Sequence, residues 1–302
     1  MKLNQLRALI TIAECQSIHE AARQLHVTQP ALSKTVQELE SSVGTTLLER
    51  SSTGTRLTPA GHRLLAHARL IMESVQHAKT DLDDMQDGVG GTVTLGTTPL
   101  TAMLQPMIDT LDGFRTAYPD VRLRVLEMRP NQLVEQLRQG AIDMAVSSHL
   151  QSPDRFFQSI EVSRLSSVIV ARPEHPLRNA RSLRVLRQAD WISLDPLPDR
   201  QSSFSRLFSE NGLEPPLRVT ECASIHLAME LCWRADLLLV LSSESMRSEF
   251  LSQRVAYLDI AEPLPAQPIC LLRHNHHVLT GPAERLHNAL LQGFAAQSRR
   301  AA

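Results

Sequence analysis

From its first residues the chain places apolar side chains at helical spacing. Over residues 3–15, Leu6, Leu9, Ile10 and Ala13 share one face, which predicts a helix with a single buried side. Ser17 can cap a second helix, with Glu20 completing a capping box, and Ala21, Ala22 and Leu25 give it a small apolar face. His26 and Val27 fall where the chain turns. Thr28 is the next cap, and Pro30 is tolerated in a first turn, where its missing N–H has no bond to lose. Leu32, Val36 and Leu39 recur at helical spacing, and Gly44 is expected to end the helix at a positive φ. The opposite face carries Gln29, Ser33, Lys34 and Gln37, whose polar groups can reach base edges and phosphates in a major groove. Two short helices joined this way form a helix-turn-helix unit.

Val43, Leu47 and Leu48 close the small core. Residues 47–57 predict a two-stranded wing with Ser52–Gly54 near its tip, flanked by Arg50 and Arg56, which are expected to touch phosphate or the minor groove. Thr58 and Pro59 start a long helix running to about residue 87. Along it Leu64, Ala68, Ile71, Val75, Ala78, Leu82 and Met85 form a coiled-coil seam, and the simplest partner is the same helix of a second subunit. Gly88, Gly90 and Gly91 mark a hinge. Beyond it, strands at 92–96, 121–125, 142–146, 167–171, 217–220, 237–241, 255–260 and 268–273 are interleaved with helices at 101–117, 131–139, 183–189, 202–211, 225–234 and 282–297. That succession predicts an α/β region with a mostly parallel sheet.

The 302 residues suffice for two or three domains with real cores. The net charge of −1 gives no hint of a nucleic-acid partner, so attraction to phosphate must come from placement and from doubling in a dimer. Cys15, Cys222, Cys232 and Cys270 lie far apart without metal-ligand spacing; buried thiols are the default, with redox sensing by Cys222 and Cys232 as the alternative. The start of the chain does not read as a signal peptide, and no stretch approaches a membrane span. A cytoplasmic protein with no membrane partner is expected.

Residues Ala21, Ala22, Leu25, Gln29, Pro30, Ala31, Leu32, Ser33, Leu39 and Glu40, extended by Leu47, Arg50, Leu57, Thr58, Ala60 and Gly61, resemble the signature of the LysR-type transcriptional regulators. The resemblance implies a multidomain α+β protein. A winged helix-turn-helix domain at 1–58 and a dimerising linker helix at 59–88 would precede an effector-binding α/β region at 89–302. That region would comprise two Rossmann-like subdomains, resembling a periplasmic binding protein, at 92–161 plus 268–302 and at 162–267. Also implied are promoter DNA of dyad symmetry, a homodimer that pairs into a homotetramer, contact with RNA polymerase where the protein activates, and a small effector between the subdomains.

Open α/β sheets bind ligands beyond the carboxyl ends of their strands. Four such ends nominate Thr97, Thr98 and Thr101; Met128, Arg129 and Pro130; Ser147, Ser148 and His149; and Arg200, Ser202, Phe204, Ser224 and Ile225. Hydroxyls, cations and an apolar floor together suggest a small organic carboxylate, aromatic in the finer reading. Enzyme motifs are missing: no GxSxG elbow, P-loop, GxGxxG after a strand or HExxH occurs. His274, His276 and His277 lack a carboxylate or thiol to complete a metal site and read as an exposed turn; neither metal nor cofactor is expected. The alternative function is a solute-binding sensor module without DNA binding.

Overall fold

The computed structural model describes residues 1–51, 54–86, 90–148, 156–247, 253–275 and 279–301. The chain divides into two compact units, Met1–Gly91 with Gln136–Ala141, and Thr92–Glu135 with Ile142–Ala302.

The first unit opens with α1 (Leu3–Cys15), α2 (Ile18–Gln24) and α3 (Gln29–Val43). A hairpin of β1 (Leu48–Ser51) and β2 (Gly54–Leu57) follows, and then α4 (Pro59–Gln86). Apolar faces close the core as the spacing predicts: Leu6, Leu9, Leu39 and Leu47 are buried together, as are Ile12, Ala21, Ala22 and Leu32. Gly44 ends α3 with φ 71°, and β1 pairs antiparallel with β2 from Leu48↔Leu57 to Ser51↔Gly54.

The expected seam on α4 divides. Ala68 is fully buried against Leu6 and Leu9 of the same chain, with Leu64 and Ile71 packed around it. Ala68 is therefore core and has no surface to offer a second subunit; α1 covers that face of the helix. Val75 is half-buried, Ala78 is exposed and Leu82 is 61% exposed, so the free apolar positions lie in the later turns. The Met85 side chain and Gly88 lie outside the described residues.

In the second unit, β3 (Thr92–Thr97), α5 (Pro99–Ala102), α6 (Gln105–Ala117), β4 (Arg122–Glu127), α7 (Pro130–Gln139) and β5 (Met144–Ser147) come first. The single helix expected over 101–117 is two, because Pro106 stands in the first turn of α6 and its ring blocks continuation of the preceding turn. Next come β6 (Phe157–Ala171), α8 (Leu183–Leu186), β7 (Asp190–Ser193), α9 (Ser203–Ser209), β8 (Val219–Glu221), α10 (Ile225–Arg234) and β9 (Leu237–Ser242). The chain closes with β10 (Ala256–Leu258), β11 (Ala266–His274) and α12 (Gly281–Ala301).

The strand order is β4-β3-β5-β11-β6-β9-β7-β8, with β10 also on β6. The sheet is mixed rather than mostly parallel. β4, β3 and β5 run parallel at one end and β8, β7 and β9 at the other, whereas β11 and β6 join them antiparallel. β6 binds the halves: residues 157–166 pair with β11, and 167–171 with β9 and β10. One half packs Leu95, Met107, Val146, Leu286 and Phe294. The other holds Trp191, Phe204 and Phe208 edge to face, with ring centroids 5.3–5.8 Å apart.

Candidate functional site

Two surfaces carry the predicted chemistry, one in each unit. In the first, Ser17 Oγ accepts from the Glu20 N–H at 3.3 Å and Thr28 Oγ1 from the Ala31 N–H at 3.4 Å, so both predicted caps start their helices. The capping box is half made, because the Glu20 carboxylate turns to Arg23 at 2.7 Å instead. His26 makes the turn between the helices with φ 54°. Leu32, Val36 and Leu39 are buried, and on the other side of α3 Gln29, Pro30, Lys34 and Gln37 are exposed with Ser33 half-buried. Arg56 is exposed on β2, opposite Glu49. The Arg50 side chain and residues 52–53 at the wing tip lie outside the described residues.

Glu40 Oε1 accepts from the N–H groups of Leu47 and Leu48, at 2.7 and 3.2 Å, and so holds the wing to the end of α3. Thr58 Oγ1 donates to the Thr46 carbonyl at 2.8 Å and accepts from the Gly61 N–H at 2.9 Å.

In the second unit a cleft enclosing about 50 Å³ is lined by Thr98, Arg129, Pro130, Ser148 and Phe204, all nominated from sequence. Pro99, Leu100, Ile192, Ser193, Leu194, Asp195, Ser203, Val240, Leu241 and Gln267 complete it. Thr101 lies behind the wall, fully buried, where its hydroxyl donates to the Val146 carbonyl at 2.8 Å. It can then only accept from Thr97 Oγ1, Thr98 Oγ1 and the Thr98 N–H, all within 3.0 Å, which is three donors for two lone pairs. Thr98, on the cleft, also caps α5, its Oγ1 accepting from the Thr101 N–H at 3.4 Å.

Several nominated residues fall elsewhere. Thr97 and Ser147 are buried at the strand ends rather than in the cleft lining. Met128 is half-buried and its N–H donates to the Thr97 carbonyl at 2.9 Å. Ser202 and Ser224 are spent as caps, accepting from the N–H groups of Ser205 at 3.2 Å and Leu227 at 3.3 Å. Ile225 packs in the core beside Cys222 and Met229, and Arg200 is exposed outside the lining. His149, His276 and His277 lie outside the described residues. His274 corrects the exposed-turn reading: it is 2% exposed and set between Phe156 and Phe157 at the end of β11.

Arg129 Nη1 donates to Glu221 Oε1 at 3.2 Å. Burial first, then Asp199, raises Asp195 to about 6, against the lowering pull of Arg129. The four thiols are free; Cys222 and Cys232 are buried, and burial pushes Cys232 up to about 12, far from the accessible thiolate a redox sensor uses.

Residues 3–62 match the model of bacterial regulatory helix-turn-helix proteins of the lysR family, and residues 86–295 match the LysR substrate binding domain. The chain belongs to the LysR family of transcriptional regulators. The HTH-type transcriptional regulator GbpR of Azospirillum brasilense is 35% identical over 241 residues, 76% of this chain and 68% of that protein. The regulator CfxR of Cupriavidus necator is 29% identical over 301 residues, 98% of this chain and 93% of its own. Among solved structures, CbnR aligns with TM-score 0.64 at 22% identity over 97% of this chain and 99% of that one. Full-length CbnR in complex with its target DNA gives 0.60 at 20% identity over the same shares of the two chains.

This LysR-type protein is therefore a DNA-binding transcriptional regulator with an effector-binding domain, and the reading as a sensor without DNA binding is set aside. The helix-turn-helix match over 3–62 decides that point. No helix among the described residues is long and apolar enough to cross a membrane. The cleft residues outside the nominated strand ends, Asp195 and Gln267 above all, lie just after β7 and at the start of β11 and carry no motif.

Proposed function

We propose that α3 reads promoter DNA of dyad symmetry through Gln29, Ser33, Lys34 and Gln37, with Thr28 and Pro30 fixing where the helix begins. Arg50 and Arg56 hold the phosphate backbone. The later turns of α4, around Val75, Ala78 and Leu82, join two copies, and the effector domains pair again into a tetramer. A small organic acid enters the cleft beside Thr98 and Arg129 and shifts the balance between two arrangements of the DNA-binding pairs. The domain boundaries follow from this: reading head 1–58, linker 59–88 and effector region 89–302, the last divided into 92–161 plus 268–302 and 162–267. The protein acts in the cytoplasm, and as an activator it would touch RNA polymerase.

What carries the DNA reading is α3 itself: an exposed row of amide and ammonium groups backed by the buried Leu32, Val36 and Leu39. Such a helix has its polar side free for a groove and its apolar side anchored. The test is gel retardation on a duplex selected by the purified protein from a random pool, against random duplex. Gln29→Ala should cut the preference for the selected duplex by roughly ten-fold, the worth of one good base contact. Arg56→Ala should weaken both complexes alike. The reverse pattern would remove α3 from base readout.

A further inference from the structure

The cleft holds more unpaired acceptor than an organic acid needs. Gln267 Oε1 and Ser203 Oγ are both shut off from solvent with no hydrogen-bond partner among the described residues. Ser203 is 7% exposed as a residue. Asp195 lines the same space, and its carboxylate receives no hydrogen bond from the described residues; Ser193 donates to its main-chain oxygen instead, at 2.8 Å. Arg129, the guanidinium in the lining, gives one N–H to Glu221 and keeps others for an acid group at its own end of the cleft. Buried polar atoms are nearly always paired, so two orphans beside an unpaired carboxylate in one small cavity mark the place of an absent partner. A carboxylate would repel Asp195 and leave the Gln267 oxygen unsatisfied, whereas a donor answers both.

We infer that the cleft is built around a hydrogen-bond donor: the effector seats an ammonium or hydroxyl group on Asp195, Gln267 Oε1 and Ser203 Oγ. This rests on the effector reading of the cleft and narrows it. An acid group on the same molecule belongs at Thr98 and Arg129, and the plain aromatic acid is disfavoured.

Ligand-observed NMR on the full-length protein tests it, with methylammonium, ethylene glycol and acetate as separate probes. Methylammonium or ethylene glycol should receive saturation from the wild-type protein, and Asp195→Asn or Ser203→Ala should lower that signal roughly five-fold or more. An ammonium seat loses most in Asp195→Asn, and a hydroxyl seat loses comparably in both variants. Two variants are used so that a failure of one to fold leaves the other. Acetate should be insensitive to both changes and should respond to Arg129→Gln. Absence of any donor signal, an equal donor signal in the variants, or acetate lost with Asp195 or Ser203 would each overturn the inference. Acetate lost only with Arg129 while neither donor binds would leave the acid-binding cleft standing and the donor seat rejected. Gel retardation of the same preparations reports separately on DNA binding.

Discussion

Gly61, in the first turn of α4, is held against the main chain at Leu47: a Cβ built there meets the Leu47 carbonyl oxygen at 2.1 Å. Backbone has no rotamer by which to step aside. Gly61→Ala is expected to destabilise the protein by about 1–3 kcal/mol, the overpacking range, and towards its upper end because backbone is struck. Gly113→Ala, whose Cβ meets nothing within 4 Å, should instead be neutral or stabilising by a few tenths to about 1 kcal/mol. Urea unfolding of the two variants side by side separates these outcomes. Asp195 gives the second expectation at this scale. Its carboxyl, raised from 3.8 to about 6, holds a proton more firmly in the folded protein than in the unfolded chain. Stability is therefore greatest below about pH 4 on this account and is lost as pH rises through 6. Asp195→Asn should abolish that slope and be more stable than wild type above pH 6, on the order of 2–3 kcal/mol at about 1.4 kcal/mol per pKa unit. Thermal melts from pH 4 to 8 check the sign, and parallel curves would contradict it. Gly61 was readable as a motif position, but its reason is a tertiary contact with a residue on the far side of the wing. Asp195 was unreadable, since its burial comes from neighbours brought in by separate strands.

Helices were easier to read than strands, for reasons the elements themselves display. α2 and α3 have side-chain caps, α3 a proline in a permitted place, and α1, α2 and α3 all have apolar faces of regular spacing and lie where the pattern puts them. β6 reads as a strand in the sequence only at its apolar end, 167–171. Its first half, FQSIEVSRLS, exposes Glu161 and Arg164, which pair with each other at 2.8 Å and disguise a strand as a loop. The α4 seam divides for a similar reason: spacing records which side is apolar, never which body covers it. The covered and free parts behave differently under substitution. Ala68→Leu should overpack the core beneath α1 and lower stability by about 1–3 kcal/mol. Leu82→Asp should leave the reading head's stability nearly unchanged, since Leu82 is 61% exposed, and should weaken self-association. Sedimentation over a range of concentrations measures the second effect; unchanged association would move the dimer contact away from the end of α4.

The polar face of α3 and the cleft beside Thr98 belong to different units of one chain, so regulation requires that free energy pass between them. A ligand biases the DNA-bound arrangement only by binding one arrangement better than another. Reciprocity then follows without any assumption about the route. If the effector changes operator affinity by a given factor, operator must change effector affinity by the same factor, commonly about 5- to 150-fold. Calorimetry of the most stabilising small molecule, with and without saturating operator duplex, gives one factor, and gel retardation with and without that molecule gives the other. The two should agree at matched salt, which matters because affinity for phosphate falls steeply with ionic strength. Thr98→Val sharpens the comparison: it removes a hydroxyl that lines the cleft while its place in the buried wall is kept by a side chain of similar shape. Effector affinity should drop, operator affinity in the absence of effector should hold, and each effector-occupied complex should still show equal factors in both directions. A variant that lost operator affinity without effector would mean that Thr98 supports the fold rather than the ligand. Equal effector affinities with and without DNA, beside a real effector response on DNA, would mean that the response arises at a site other than the cleft.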